Sequence, residues 1–183
     1  MINPSDFTLR PLTEHDLPRV LKWRNSERVR ANMYTERIIS MKEHQCWFEK
    51  QCGNSANEKY FIFESKNRPL GFVSFTRFNP ASGTCYWAFY LGEANVPRGS
   101  GAIMEFMAIE HAFRELVIRK LCCEVFVFNT LVIKLHRKFG FVEEGRFAEH
   151  MFKNDKYEDI VCLALLKREW DNIRPALQRL CFR

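Results

Sequence analysis

Three aromatic-rich segments in a row, Lys59 to Ser65, Pro69 to Phe78 and Thr84 to Leu91, constrain this chain more than any other feature. Aromatic and β-branched residues suit strands. Lys66-Asn67-Arg68 joins the first pair, and Asn79-Pro80-Ala81-Ser82-Gly83 joins the second. Both links are rich in turn formers, so the segments predict an antiparallel meander.

The flanking sequence supplies the other elements. Phe7-Thr8-Leu9-Arg10 alternates and predicts a first strand. Thr13-Glu14-His15-Asp16 resembles a capping box with Asp for the usual Glu. A helix should follow through about Arg24, with Leu17, Val20, Leu21 and Trp23 or Arg24 inward. Ser40-Met41-Lys42-Glu43 is a second box, opening a helix through about Gln51 that Cys52-Gly53-Asn54 should end. Past the meander come the small residues of Arg98-Gly99-Ser100-Gly101. A helix to about Leu116 follows, with Ile103, Met104, Phe106, Met107, Ala112 and Phe113 on its buried face. Lys120 to Phe128 reads as a near-continuous apolar strand with Glu124 inside it. Then come a helix, Thr130 to Phe139, stopped by Gly140, and strands near Phe141 to His150 and Tyr157 to Leu166. The tail, Lys167 to Leu180, reads as a helix that Pro175 should break or kink. The fold class is α/β in the α+β sense. A mixed, mostly antiparallel central sheet of about seven strands is flanked by helices, and residues 1–183 form one domain.

At 183 residues, 46% of them apolar, the chain can bury a sizeable core, and 27% charged residues do not suit a disordered chain. No apolar run reaches the roughly 18 residues of a membrane span. The first residues lack a basic head and apolar stretch of the secretory kind. A cytoplasmic protein is the expectation. The seven cysteines are odd in number and form no CxxC pair. They read as scattered reduced thiols. The five histidines show no HxH or HExxH spacing, so no metal is expected. His15 and His111 read as helix-surface residues, and His150 stays unassigned. The net charge of +6 suits an anionic partner.

The loop Arg98-Gly99-Ser100-Gly101-Ala102 stands between a strand and a helix. Small residues admit a ligand close to the backbone, and helix N-terminal amides favour an anion such as a pyrophosphate. Neither GxGxxG nor GxxxxGK[ST] fits the spacing.

About 20 residues beyond the helix start, Glu124-Val125 lies in a strand. Asn129 then opens a helix running to Leu135-His136-Arg137-Lys138-Phe139-Gly140-Phe141. With the glycine loop, this order resembles the acetyl-CoA-dependent GCN5-related N-acetyltransferase (GNAT) superfamily, from Phe7 to Trp170. The superfamily's loop pattern is (Arg/Gln)-x-x-Gly-x-(Gly/Ala). Its later pattern is Glu-Val…Asn-x-x-(Ala/Ser)-x-x-Leu-Tyr-x-Lys-x-Gly-Phe. Ile103, Val132 and His136 depart from these patterns, standing where Gly or Ala, Ala or Ser, and Tyr are usual. Scattered positions resemble one branch, the nucleotide-sugar enzymes that acetylate UDP-4-amino-4,6-dideoxy-N-acetyl-β-L-altrosamine in pseudaminic acid biosynthesis and flagellin glycosylation. They include Trp23-Arg24-Asn25, Met33-Tyr34, Thr76-Arg77, Trp87-Ala88-Phe89-Tyr90 and Glu144-Gly145.

The resemblance implies acetyl transfer from acetyl-CoA to a sugar 4-amine in a ternary complex. Glu124 is the candidate base, acting directly or through water; the plain alternative is a solvated carboxylate or one paired to Arg. His136 and Tyr90 are candidate proton donors to the thiolate. The plain alternatives are a capping or surface histidine and a core tyrosine. The amides of Val96 and of Gly99, Ser100, Gly101 and Ala102 should take the pyrophosphate, with charge from Arg98. The backbone of Phe89, Tyr90 and Leu91 should pair with pantetheine, which Asn129 should also bond. Arg24 and Arg77 should face the UDP diphosphate, Thr76 a phosphate, Trp47 and His44 the nucleotide, and Met33 and Tyr34 the 6-deoxy face.

An acceptor at a protein N-terminus or ribosomal protein is the second reading, but Arg24, Arg28, Arg30 and Arg37 favour an anion there. A nucleic-acid binder fits poorly. The cations are dispersed, and among 17 Phe, 5 Tyr and 4 Trp it is Phe that dominates, as in a core. No nucleic acid, membrane or metal partner is expected; a homodimer is compatible.

Overall fold

The computed structural model describes residues 2–52, 58–153 and 155–183, with residue 52 described only for its backbone. Among these residues seven strands form one sheet in the order β1-β2-β3-β4-β5-β7-β6. They are β1 (Phe7–Pro11), β2 (Lys59–Ser65), β3 (Arg68–Asn79), β4 (Thr84–Leu91), β5 (Lys120–Phe126), β6 (Val142–Lys153) and β7 (Lys156–Leu166). Strands β2 to β4 are antiparallel, as the meander pattern predicts, and β1 adds to them antiparallel on β2. Among the described residues six α-helices accompany them: α1 (Leu17–Asn25), α2 (Glu27–Arg30), α3 (Met41–Cys52), α4 (Ser100–Arg114), α5 (Thr130–Lys138) and α6 (Lys167–Cys181). No helix among the described residues is long and apolar enough to cross a membrane.

Strand alternation divides the apolar side chains into two cores. Phe61, Phe63, Val73, Phe75, Cys85 and Trp87 join Ile103, Met104, Ile109 and Phe113 of α4 and Trp170 of α6. The intervening residues Ile62 and Phe72 join Leu12, Val20 and Trp23, with Trp47, Tyr60 and Tyr90 packed alongside. Helices α1 and α3 therefore cover one face, and α4 and α6 the other.

Both capping boxes are present. Asp16 accepts from the Thr13 amide at 3.0 Å and the Thr13 hydroxyl at 2.9 Å. Glu43 accepts from the Ser40 amide at 2.9 Å, while the Glu43 amide donates to Ser40 Oγ at 3.3 Å. Gly53 and Asn54 of the expected helix stop lie outside the described residues.

Three expectations need correction, and one element is new. The strand at 120 ends at Phe126 rather than Phe128, because the chain turns into the Asn129 cap of α5. Helix α2 was not expected. Helix α6 runs through Pro175, its ends anchored by the buried Trp170, Leu177 and Cys181. His111 lies inward rather than on the helix surface, its ring 4.5 Å from Phe61 and 5.7 Å from Phe75. Burial lowers that imidazole below its ordinary value.

Candidate active site

The sheet opens where β4 meets β5. Their parallel ladder has three pairs and stops at Tyr86 and Cys122. On its other edge β4 stays paired to β3 as far as Gly71 and Leu91. From Trp87 to Leu91 the β5-facing edge of β4 thus carries backbone groups without a strand partner. Such groups seek an extended, amide-bearing partner.

This free edge leads through residues 92–99 into α4. Gly99 caps the helix with φ +88°, a left-handed conformation that favours glycine. The Ser100 amide bonds Pro97 O at 3.1 Å and the Ile103 amide bonds Gly99 O at 3.0 Å. The amides of Gly101 and Ala102 lie in the first turn, which has no intrahelical carbonyl to bond. Arg98 is exposed beside them, and Val96 packs on the main core. A splayed strand edge and a helix N-terminus with free amides fit the pantetheine and pyrophosphate of acetyl-CoA. A Cβ on Gly99 meets nothing within 4 Å. Gly99→Ala should therefore cost about 1–2 kcal/mol through backbone strain alone. We expect an acetyl-CoA KM raised severalfold with kcat nearly unchanged, read by thiol-release kinetics.

On the face covered by α1 and α3 lies a cavity of about 360 Å³. Strand alternation supplies its floor, Phe72, Ser74, Ala88 and Tyr90, and the helices and the loop before α3 supply Val20, Arg24, Met33, Arg37, Ile39, Glu43, His44 and Trp47; Phe89 also lines it. His44 and Trp47, on one side of α3, stack with centroids 5.0 Å apart. His44 is 5% exposed, and its Nε2 is buried without a hydrogen-bond partner. Burial, with Arg24 nearby, lowers its imidazole below the ordinary value. Arg24 Nη2 donates to Thr35 O at 2.7 Å, whereas Nη1 is buried and unpartnered. Burial and the charges of Arg30 and Arg37 work against the Arg24 cation. Glu43, the one carboxylate among the described residues of the lining, is tied to the Ser40 cap and to Arg37 at 2.6 Å, which hold it down to about 2. Tyr90 stacks on Phe72 at 5.3 Å, and burial pushes its phenol up, opposed by Arg24.

Glu124, outside the cavity lining, accepts from Tyr34, the residue after the lining Met33, at 2.7 Å and from Arg77 Nη1 at 2.9 Å. Its side chain is 10% exposed. Burial, then the bond to Glu124, keeps the Tyr34 hydroxyl protonated. Arg77 stands at a bulge in β3 with φ +50° and lies 3.5 Å over the Tyr86 ring.

The structure thus brings Arg24, Met33, His44, Trp47, Phe89 and Tyr90 together around one cavity, while Glu124 lies outside its lining, bonded to Tyr34. It departs from expectation at five positions. Arg77 spends its guanidinium on Glu124 and Tyr86 instead of the cavity. Thr76 is outside the lining. Asn129 uses its side chain to cap α5, accepting from the Val132 amide at 3.4 Å. Tyr34 is engaged by Glu124 and not by the cavity. His136 points into the core: it is 2% exposed, Nδ1 lies 2.8 Å from Glu105 Oε1, and Trp87, Phe89 and Phe141 surround the ring. Ile39, Phe72, Ser74 and Ala88 were not foreseen, and Arg37 was named only as part of the basic acceptor region. For the three strand residues the signal was available, since Phe72 and Ser74 pair across from Tyr90 and Ala88.

Among the described residues no cluster of His, Cys, Asp or Glu could hold a metal ion. The six described cysteines are free.

The acetyltransferase (GNAT) domain family model matches residues 6–142. A spermidine N(1)-acetyltransferase of Vibrio cholerae is 23% identical over 92% of this chain and 97% of its own length. Its crystal structure with CoA and spermine superposes with a TM-score of 0.86, covering 92% of this chain and 99% of that one. The acetyltransferase PseH of Campylobacter jejuni is 28% identical over 77% of this chain and 85% of its own. A putative ribosomal N-acetyltransferase of Bacillus subtilis, YdaF, is 33% identical over 34% of each chain. The chain belongs to the acetyltransferase (GNAT) domain family and is an acetyl-CoA-dependent N-acetyltransferase.

Proposed function

We propose that this enzyme acetylates the 4-amine of a UDP-linked 4-amino-4,6-dideoxy sugar, as in pseudaminic acid biosynthesis. The observation that carries this reading is the charge of the cavity. It holds Arg24 and Arg37, and its one carboxylate is neutralised by Arg37. A polyamine or a cationic peptide needs unpaired carboxylates at such a place. A buried, unpartnered guanidinium N–H is costly until an anion takes it, so Arg24 Nη1 suits a diphosphate oxygen. The stacked His44 and Trp47 offer an aromatic wall for uracil, and Met33 an apolar surface for the deoxy carbon.

Acetyl-CoA supplies the acetyl group, activated as a thioester. Glu124 draws in the acceptor amine and receives its proton as the C–N bond forms. Tyr90, kept protonated by burial, gives its proton to the departing thiolate sulfur. The Tyr90 phenol lines the cavity, whereas His136 is turned toward Glu105, so we assign the acid to Tyr90.

The test is thiol release with acetyl-CoA against UDP-4-amino-4,6-dideoxy sugars, spermidine and peptides with free N-termini. Turnover of the nucleotide sugar, lost in Arg24→Gln, is the expected outcome. Turnover of spermidine but not of the sugar would overturn the acceptor assignment in favour of the polyamine class, named by the Vibrio cholerae relative. That relative has a dodecameric structure. We also propose self-association for this chain, read by size-exclusion chromatography with light scattering.

A further inference from the structure

Lys153, the last residue of β6, is a lysine whose side chain is 2% exposed. A lysine ammonium has three N–H donors, and burying it without acceptors is costly. Here the acceptors are Met33 O at 2.9 Å, Arg30 O at 3.5 Å and Glu36 Oε1 at 2.5 Å. All three belong to one stretch, residues 30–36, at the end of α2 and in the irregular chain before α3. Nζ also lies 5.2 Å over the Phe126 ring.

That stretch matters because of what it carries. Met33 lines the cavity. Tyr34 donates to Glu124, and its ring rests on Phe126 at 5.6 Å and His150 at 6.5 Å. The carbonyl of Thr35 takes Arg24 Nη2, and that of Glu36 takes Arg30 Nη1 at 2.8 Å. Those two arginines come from α1 and α2, the helices to which the stretch is already joined in sequence. They do not tie it to β5 and β6, which it meets through Tyr34. Lys153 is the second tie, and it holds the backbone itself, reaching the stretch from the far end of β6, about 120 residues away.

We propose that Lys153 is a positioning residue of the acceptor side. Its ammonium fastens residues 30–36 to the end of the β6–β7 hairpin, so that Met33 forms cavity wall and Tyr34 meets Glu124. The catalytic part of this inference rests on the acceptor-site reading above. The fastening itself does not.

Lys153→Met keeps the aliphatic stem and removes the three donors. Two measurements separate the fastening from its catalytic use. Amide hydrogen exchange on the free protein should show residues 31–39 exchanging more than about tenfold faster, with residues 99–113 unchanged. In kinetics, kcat/KM for the acceptor should fall by about tenfold or more, with the acetyl-CoA KM within about twofold of wild type. Tyr34→Phe combined with Lys153→Met should cost no more than Lys153→Met alone, because loosening the stretch already forfeits the contact of the Tyr34 hydroxyl with Glu124. If Lys153→Met does not fold, Glu36→Gln, which leaves the two carbonyl contacts, should move both readouts the same way by a smaller factor. Unchanged exchange at 31–39, or equal loosening at 99–113, overturns the proposal. Faster exchange at 31–39 with no acceptor turned over by the wild-type enzyme upholds the fastening and sinks the acceptor reading instead.

Discussion

Glu124→Gln should lower kcat by about 100-fold or more while leaving acetyl-CoA affinity within about twofold. The amide has the size of the carboxylate and can still accept from Tyr34 or Arg77, so the surrounding geometry survives. It cannot take a proton from the amine. The two donors also shape the expectation. Arg77 at 2.9 Å and Tyr34 at 2.7 Å occupy one position on each carboxylate oxygen. An ionised carboxylate has about four acceptor positions, which leaves room for an incoming amine. Thiol-release kinetics give kcat, and calorimetry with CoA gives affinity. A normal kcat would reduce Glu124 to an ion-pair partner of Arg77. An equal loss of CoA affinity would point to collapse of the sheet opening.

The elements legible in the sequence were those decided within a few residues. The meander follows from period-two alternation bounded by turn formers, and the two helix starts from Thr13/Asp16 and Ser40/Glu43 contacts three residues apart. The glycine loop was legible for the same reason. What surrounds Glu124 was not, because Tyr34 and Arg77 lie 90 and 47 residues away in sequence. No local pattern pairs them, and Arg77 gets there through a bulge. His136 is an intermediate case. Ile133 and His136 are three apart on α5 and both are buried, so helical spacing already placed the imidazole inward. Glu105, between Met104 and Phe106, was the matching carboxylate, fully buried and pushed upward by desolvation. Reading His136 by its place in the family pattern concealed that pairing. Lys153 gave no signal at all, since the acceptors that bury it belong to a stretch without regular structure.

The largest effect on stability should come from Gly92→Ala. Gly92 follows β4 directly and opens the segment that leads to the glycine loop. A Cβ there would stand 2.0, 2.3 and 2.5 Å from Trp23 Cδ2, Cγ and Cε2. The backbone is pinned: the Gly92 amide bonds Leu70 O at 2.8 Å and its carbonyl takes Arg28 Nη2 at 2.8 Å. The indole is pinned too. It is 3% exposed, packs with Leu12, Val20, Ile62 and Phe72, and donates from Nε1 to Glu93 at 3.0 Å. Neither partner can give way cheaply, so the cost should reach or exceed the roughly 3 kcal/mol upper end of ordinary overpacking. For a chain of this size that lowers Tm by about 6–12 °C. Trp23→Leu removes the ring atoms that clash, so adding Gly92→Ala to that variant should cost much less than adding it to wild type. Calorimetric melting of the four proteins measures the coupling. Additive losses would show that the cost does not come from the indole lying against Gly92. With the coupling present, acetyl-CoA affinity should fall with Tm in Gly92→Ala, because the same close approach sets where the loop toward Gly99 begins.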